Sequence, residues 1–338
     1  MHQYWFVTLA KRSPLNLLLT AVVIWLSLVT VFFWLYNIPF ELALQPTPRY
    51  LLNLGSALFF STGVTYSICM GTYALGRSAK LIEKLSPSIT MSVDQLSEFA
   101  SSLESASTRD NIIFIGLGCL FGIAHTLMIE ATFDISAIGL PRRMANIAGT
   151  MLIWITLFSV IWALIKNAHN YAKLGANSLK IDLIHLHKLT PMGNLALVPA
   201  MVLMPIQLMY PLLFLGGEFN PAVVIPGFFS TLFALFYTIF VVTWGLHQSI
   251  TNEKTAALTS INNQLKSPDL KLAASEQLVP RQLVEVQAII SHRTYLESVS
   301  GWPFNLTSFA QLTAYIIFPP ITWALAAIVS NFIDKVIT

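Results

Sequence analysis

The chain has 338 residues, of which 55% are hydrophobic and only 10% are charged, and its net charge at pH 7 is +3. Soluble domains carry roughly a quarter charged residues, so this composition excludes an ordinary water-soluble protein and predicts a surface that mostly faces lipid. The small net charge argues against nucleic acid as a partner. The sequence therefore predicts an all-α fold, a polytopic transmembrane helical bundle whose main partner is the lipid bilayer.

Seven apolar stretches are long enough to cross the bilayer core, which takes roughly 20 residues of helix. In chain order they cover about 15–37, 50–75, 111–130, 147–166, 193–215, 223–246 and 305–333. The first is about as long as a full span, so it is interpreted as a retained helix rather than a cleavable signal peptide. The chain thus divides into six helices within 1–246, a polar helical segment at 247–302 and a last helix within 303–338.

The cationic residues predict how these helices are oriented. All but four of the 19 Lys and Arg residues fall in or beside the N-terminal segment, the loops 76–110 and 167–192, and the segment 247–302. The exceptions are Arg49, Arg142, Arg143 and Lys335. Because cationic side chains resist translocation, this asymmetry predicts that the N-terminus is cytoplasmic, and seven spans then place the C-terminus outside.

The segments predicted to be cytoplasmic are the long ones. The Ser-rich loop 76–110 is interpreted as a flexible or loosely helical connector, and the loop 167–192 contains a short amphipathic piece at 181–189. In 247–302 two apolar stripes at helical spacing predict two amphipathic cytoplasmic helices that turn near Pro268. The stripes are Leu258, Ile261 and Leu265, then Leu283, Val286 and Ile290. Because such stripes dock on another surface, this segment is a candidate site for a cytoplasmic protein partner.

The common catalytic motifs are missing. The patterns G-x-x-x-x-G-K-[ST], G-x-G-x-x-G and H-E-x-x-H do not occur. This argues against an ATP-driven pump or a zinc protease, and it predicts a protein that is not an enzyme and needs no cofactor. Asp182 and His185 would share one helical face but His187 would not, so no metal site is predicted either.

The third predicted helix contains His125, with Glu130 and Asp134 towards its outer end. Ionisable residues in a membrane are costly and often functional, and the two acids lie four residues apart on one helical face. One interpretation is an outer vestibule that attracts cations. The other places both acids at the interface and gives His125 one interhelical hydrogen bond. Gly118 and Gly122 form a G-x-x-x-G pattern, which predicts close helix packing.

The last predicted helix has one polar face on an otherwise apolar surface. This face comprises Ser308, Gln311, Tyr315 and Thr322. In a symmetric homo-oligomer it would line a narrow pore, whereas within one bundle it would form hydrogen bonds to neighbouring helices. Pro319 and Pro320 each remove a backbone donor, so the stretch is either one span with a proline kink or two half-helices.

Two short elements in the C-terminal half carry a resemblance. Asp182-Leu183 to Leu189-Thr190-Pro191 is similar to a D-L-x-x-L-x-x-L-x-P element, and Trp302-Pro303-Phe304 with the later Pro319-Pro320 is similar to the end of the same kind of protein. They resemble a family of uncharacterised bacterial multi-pass inner-membrane proteins, which implies a bacterial inner membrane and adds no mechanism. By topology alone the chain resembles insect odorant and gustatory receptor channels.

Three functions are compatible with these features. The first is an oligomeric channel or passive permease whose last helix lines the pore. The second is a membrane scaffold or sensor that binds a partner through 247–302. The third is a membrane-embedded enzyme that uses His125 and Glu130.

Overall fold

The computed structural model describes residues 2–39, 48–132, 139–215, 221–266, 280–302 and 306–337. Within these ranges seven helices are long and apolar enough to cross a bilayer, one for each apolar stretch of the sequence. An all-α fold is therefore confirmed, and its seven long apolar helices are compatible with a multi-pass membrane protein.

The helices are, in chain order, α1 (Trp5–Arg12), α2 (Leu17–Leu35), α3 (Pro48–Lys84), α4 (Val93–Ser102), α5 (Thr108–Thr132), α6 (Leu140–Asn177), α7 (Thr190–Gln207), α8 (Pro221–Leu265), α9 (Pro280–Ser298) and α10 (Leu306–Ile337). Short 3-10 turns cover Ser86–Ser88, Leu186–Leu189 and Tyr210–Phe214. A two-residue strand, β1 (His2–Gln3), pairs antiparallel with β2 (Ser105–Ala106).

Four helices form the middle of the bundle and three cover its outside. α3, α6, α7 and α8 pack against one another and supply most of the buried apolar residues. α2 packs on α3, α5 packs on α6, and α10 packs on α7 and on the turn at Tyr210–Phe214. α10 is the least covered of the seven, because only 6% of its apolar window is buried.

The two glycines of the G-x-x-x-G pattern lie where α5 crosses α6. A Cβ atom added at Gly118 would lie 2.4 Å from the Cα of Ile155, and one added at Gly122 would lie 2.7 Å from the Cα of Met151. The backbones of the two helices therefore approach as closely as the pattern predicts, since no side chain separates them.

Four segments that are far apart in the sequence meet at one end of the bundle, here called the loop end. β1 pairs with β2, and the loop before α4 joins the loop after α6 through an Ile89–Leu179 bridge. The Tyr295 hydroxyl on α9 donates to the carbonyl oxygen of Ile184 over 3.2 Å. These are the segments that carry most of the Lys and Arg residues.

Local hydrogen bonds decide the structure of two loops. In the Ser-rich connector, Ser92 and Gln95 form a reciprocal capping box at the start of α4, which makes a regular helix favourable there. In the piece 181–189, the Asp182 carboxylate accepts from the backbone N–H groups of Ile184 and His185. This Asx-type bonding competes with helix formation, so the predicted amphipathic piece contains only a 3-10 turn.

Two helices cover the described part of 247–302 and pack against each other. α8 continues well beyond its membrane-length portion, and α9 packs against it. Ile261 on α8 and Leu296 on α9 are buried. On α9, Ile289 packs against the core, whereas the predicted stripe residue Ile290 is exposed. The side chain of Leu283 lies outside the described residues.

α10 is one continuous helix through Pro319 and Pro320, and the described part of the chain shows no break into two half-helices there.

Candidate functional site

His125 links three helices in the bundle. Its ring lies partly buried on α5, and its Nδ1 accepts a hydrogen bond of 2.9 Å from the indole N–H of Trp154 on α6. Since an indole N–H can only donate, the proton of the neutral ring is on Nε2, which donates over 3.2 Å to the carbonyl oxygen of Ala222 on α8. Both ring nitrogens are engaged, so His125 makes two hydrogen bonds to neighbouring helices where the sequence interpretation gave it one.

The position of Ala222 explains this contact. In a regular helix its carbonyl would accept from the N–H of the residue four positions later, which is Pro226 and has no N–H. His125 supplies a donor at that place. Prolines within membrane helices are tolerated when neighbouring groups satisfy the backbone in this way.

The same arrangement recurs at Pro205, inside α7. The Tyr66 hydroxyl on α3 donates over 2.8 Å to the carbonyl of Met201, four residues before Pro205. The Trp323 indole on α10 donates over 2.7 Å to the carbonyl of Gln207, the last residue of α7, where a helix end leaves carbonyls without helical partners. The prolines are visible in the sequence, but the donors come from distant parts of the chain, so sequence reasoning missed these pairs.

The proposed outer vestibule cannot be described around both acids. The side chain of Glu130 and all of Asp134 lie outside the described residues. His125 is the only one of the three whose surroundings are known, and it lies between helices rather than on an open surface.

The residues on the polar face of α10 have different surroundings in the structure. Gln311 is exposed, whereas Tyr315 packs partly against the core. The Thr322 hydroxyl donates over 2.7 Å to the carbonyl of Pro319 in its own helix. Pro319 is buried and Pro320 exposed, and the side chain of Ser308 lies outside the described residues. Gln311 is therefore the described member of this face that is free to meet another molecule.

Trp323 is the main attachment of α10 to the bundle. Its ring contacts Tyr210 edge-on with ring centroids 5.8 Å apart, and Phe228 with centroids 5.0 Å apart. Together with the hydrogen bond to Gln207, these contacts fix one side of α10 and leave Gln311 outside the contact.

The start of α10 is connected to α8 by a cluster at the loop end. The ring of His247 stacks on Trp302 with centroids 4.3 Å apart, and its Nδ1 bonds to the carbonyl of Gly301 at 2.8 Å. Lys254 donates to the carbonyls of Glu297 and Val299, which neutralises the negative end of α9. The described residues just before α10 are therefore held against α8.

No protein-family model, no curated protein and no solved structure matches this chain.

The Asp182 cluster has no third metal ligand among the described residues, which contain no group of three His, Cys, Asp or Glu suited to a metal ion. Asp182 instead pairs with His185 at 2.7 Å and with Lys188 at 3.4 Å. The hydrogen bond to His185, and next the backbone N–H of Ile184, lower the pKa of Asp182 to about 2. The Asp182 carboxylate therefore stabilises the conformation of its own loop.

Proposed function

We propose that the chain is one subunit of a homo-oligomeric channel or passive permease in which α10 lies at the subunit interface and contributes to the pathway. The observation that carries this proposal is the exposed amide of Gln311 on a helix that is otherwise apolar and almost uncovered. In this proposal the N-terminus is cytoplasmic and the C-terminus outside, and the meeting of the Lys- and Arg-rich segments at the loop end supports that orientation.

The physical reason is the cost of an unsatisfied amide. A side-chain amide that faces hydrocarbon loses its hydrogen bonds to water, which is unfavourable by several kcal/mol in the least polar surroundings. A second copy of α10, or water in a pathway between copies, would satisfy Gln311. Tyr315 and Thr322 lie on the same face further along the helix, but Tyr315 packs against the core and Thr322 bonds within α10, so Gln311 is the residue that carries the proposed contact.

The loop-end cluster provides a route for control. His247 and Lys254 connect α8 to the segment just before α10, so a change in the cytoplasmic pair α8–α9 would move the start of the proposed pore helix. This coupling is absent from a simple bundle in which the last helix is joined by a free linker.

Ion flux from proteoliposomes tests the proposal. The native protein is expected to release a trapped ion, and Gln311→Leu is expected to change the rate severalfold because it removes the amide without changing the length of the side chain much. Ser27→Leu, at an exposed polar position on α2, is the matched control and should leave the flux as it is. An absence of flux over a range of voltage and pH would refute a constitutive channel.

A scaffold or sensor is the second candidate, and one observation favours it. Val284 and Ile290 on α9 are 68% and 49% exposed although α9 packs against α8. Replacing both by Gln should abolish the binding of a cytoplasmic partner while leaving any ion flux unchanged, which separates the two functions.

The third candidate, an enzyme that uses His125 and Glu130, gains no support from the described residues. Both ring nitrogens of His125 are already bonded to protein groups. The proposal therefore contains no catalytic step and no cofactor.

A further inference from the structure

A cleft at the loop end collects cationic side chains from α1 and α3. Its volume is about 700 Å³, and it lies between α1, the start of α2 and the last turns of α3. The cations that line it are Lys11, Arg77, Lys80 and Lys84, against a single carboxylate, Glu104. We call this feature the basic cleft.

The charge of the basic cleft is not neutralised within the part of the chain that the structure describes. Glu104 is paired with Lys11. Arg77 bonds to the Tyr73 hydroxyl at 3.3 Å, and Lys80 and Lys84 have no ion pair with any described carboxylate. Since residues 77, 80 and 84 occur at helical spacing, three cations point from one face of α3 towards the same space.

An apolar groove continues from the basic cleft along the bundle. It has a volume of about 570 Å³ and lies between α2 and α3, with Leu17 and Tyr73 lining both cavities. Two of its polar lining groups bond to protein partners, because Trp25 donates to Thr62 at 2.9 Å and Tyr66 donates to Met201, and the Thr65 hydroxyl is buried without a partner among the described residues. The groove therefore offers hydrocarbon contact and no free charge.

The dimensions of the groove match one leaflet of a bilayer. Leu17 lies where the cationic N-terminal segment ends, and Trp25 lies eight residues further on, which is about 12 Å along a helix. One leaflet of a bilayer core is about 15 Å thick. A molecule that fills both cavities needs an anionic head at the membrane surface and an apolar chain that runs inward.

We propose that α1, α2 and α3 form a binding site for an anionic phospholipid. Its phosphate lies among Lys11, Arg77, Lys80 and Lys84, and one acyl chain occupies the groove between α2 and α3. Charge complementarity selects the head group, and the continuity of the cleft with the groove selects a lipid over a free phosphate. This site is on the side of the bundle formed by α2 and α3, so it does not depend on conduction through α10.

Native mass spectrometry of the full-length protein in lipid-free detergent tests the site by titration with two lipids. Dioleoyl phosphatidylglycerol should bind more tightly than dioleoyl phosphatidylcholine. Lys80→Gln/Lys84→Gln should weaken phosphatidylglycerol binding by about tenfold or more, because each cation near an anionic head group contributes to the attraction. Lys173→Gln/Lys180→Gln removes the same charge from exposed positions outside the cleft and should have no such effect.

Two further arms separate a lipid from a free anion. Ala21→Phe fills the groove and should weaken phosphatidylglycerol binding while the cleft stays intact. Inorganic phosphate should not displace the lipid. Equal affinity for the two lipids, or equal losses in the two double variants, would overturn the proposal. The proposal would also be overturned if inorganic phosphate displaced the lipid and Ala21→Phe bound phosphatidylglycerol as well as the native protein does. Unchanged thermal unfolding of each variant shows that a loss of binding does not come from misfolding.

Discussion

Gly118→Ala and Gly122→Ala are each expected to destabilise the protein by about 1–3 kcal/mol, because a methyl group added at either position meets backbone atoms of α6. The contacts would be 2.4 Å to the Cα of Ile155 and 2.7 Å to the Cα of Met151, and backbone atoms cannot move aside as a flexible side chain can. α5 would have to separate from α6 along its whole contact. Thermal unfolding in detergent, followed by Trp fluorescence, measures the loss.

Gly116→Ala is the matched control for this prediction. Gly116 lies on the same helix, two residues before Gly118, and a Cβ atom added there meets nothing within 4 Å. Since Ala is a better helix former than Gly, this variant should unfold at the native temperature or slightly above it. If all three substitutions had the same effect, the close packing of α5 on α6 would be wrong.

The second large effect is expected at His125. His125→Ala leaves the buried Trp154 indole without its acceptor and removes one donor from the carbonyl of the half-buried Ala222. We expect a loss of about 1–3 kcal/mol in the free energy of unfolding. A double-mutant cycle with Trp154→Phe should give a coupling energy of about 0.6 kcal/mol and no more than about 1.7 kcal/mol, the average and the maximum for hydrogen bonds between membrane helices.

Pro226→Ala provides a control that depends on the mechanism. This change gives residue 226 an N–H group, which can bond to the Ala222 carbonyl in the ordinary helical pattern. His125→Ala should then cost less in the Pro226→Ala background than in the native protein. If His125→Ala lowered the free energy of unfolding equally in both backgrounds, the bond from His125 to the Ala222 carbonyl would not compensate for the N–H group that Pro226 lacks.

The sequence predicts those features that are encoded locally. The seven long helices follow from runs of apolar residues, and the contact of α5 with α6 follows from Gly118 and Gly122, because length and small side chains act within one helix. The amphipathic helices α8 and α9 follow from their periodicity. Periodicity could not show, however, that Ile289 rather than Ile290 packs against the core, since neighbouring positions differ by only 100° around a helix.

The partners of polar groups could not be predicted in this way. Tyr66 and Met201 are 135 residues apart, and Trp323 and Gln207 are 116 apart. These pairs depend on which helices become neighbours. Spacing along one helix also cannot show which neighbours its polar residues meet. The sequence therefore predicts a single polar face on α10, whereas in the structure Thr322 bonds within its own helix and Tyr315 packs on the bundle. The basic cleft combines Lys11 with cations of α3, and no motif connects them.

In the proposed assembly, copies of the chain meet along α10 near Gln311, and cysteine cross-linking in native membranes tests for this contact. In a Cys69→Ser/Cys119→Ser background, Gln311→Cys is expected to give a covalent dimer on mild oxidation. Ile317→Cys is the control, because this residue is 49% exposed on the same helix but lies about 120° further round its surface. Efficient cross-linking at position 311 and little at position 317 is the predicted result. Equal cross-linking at both positions, or none at position 311, would contradict the account.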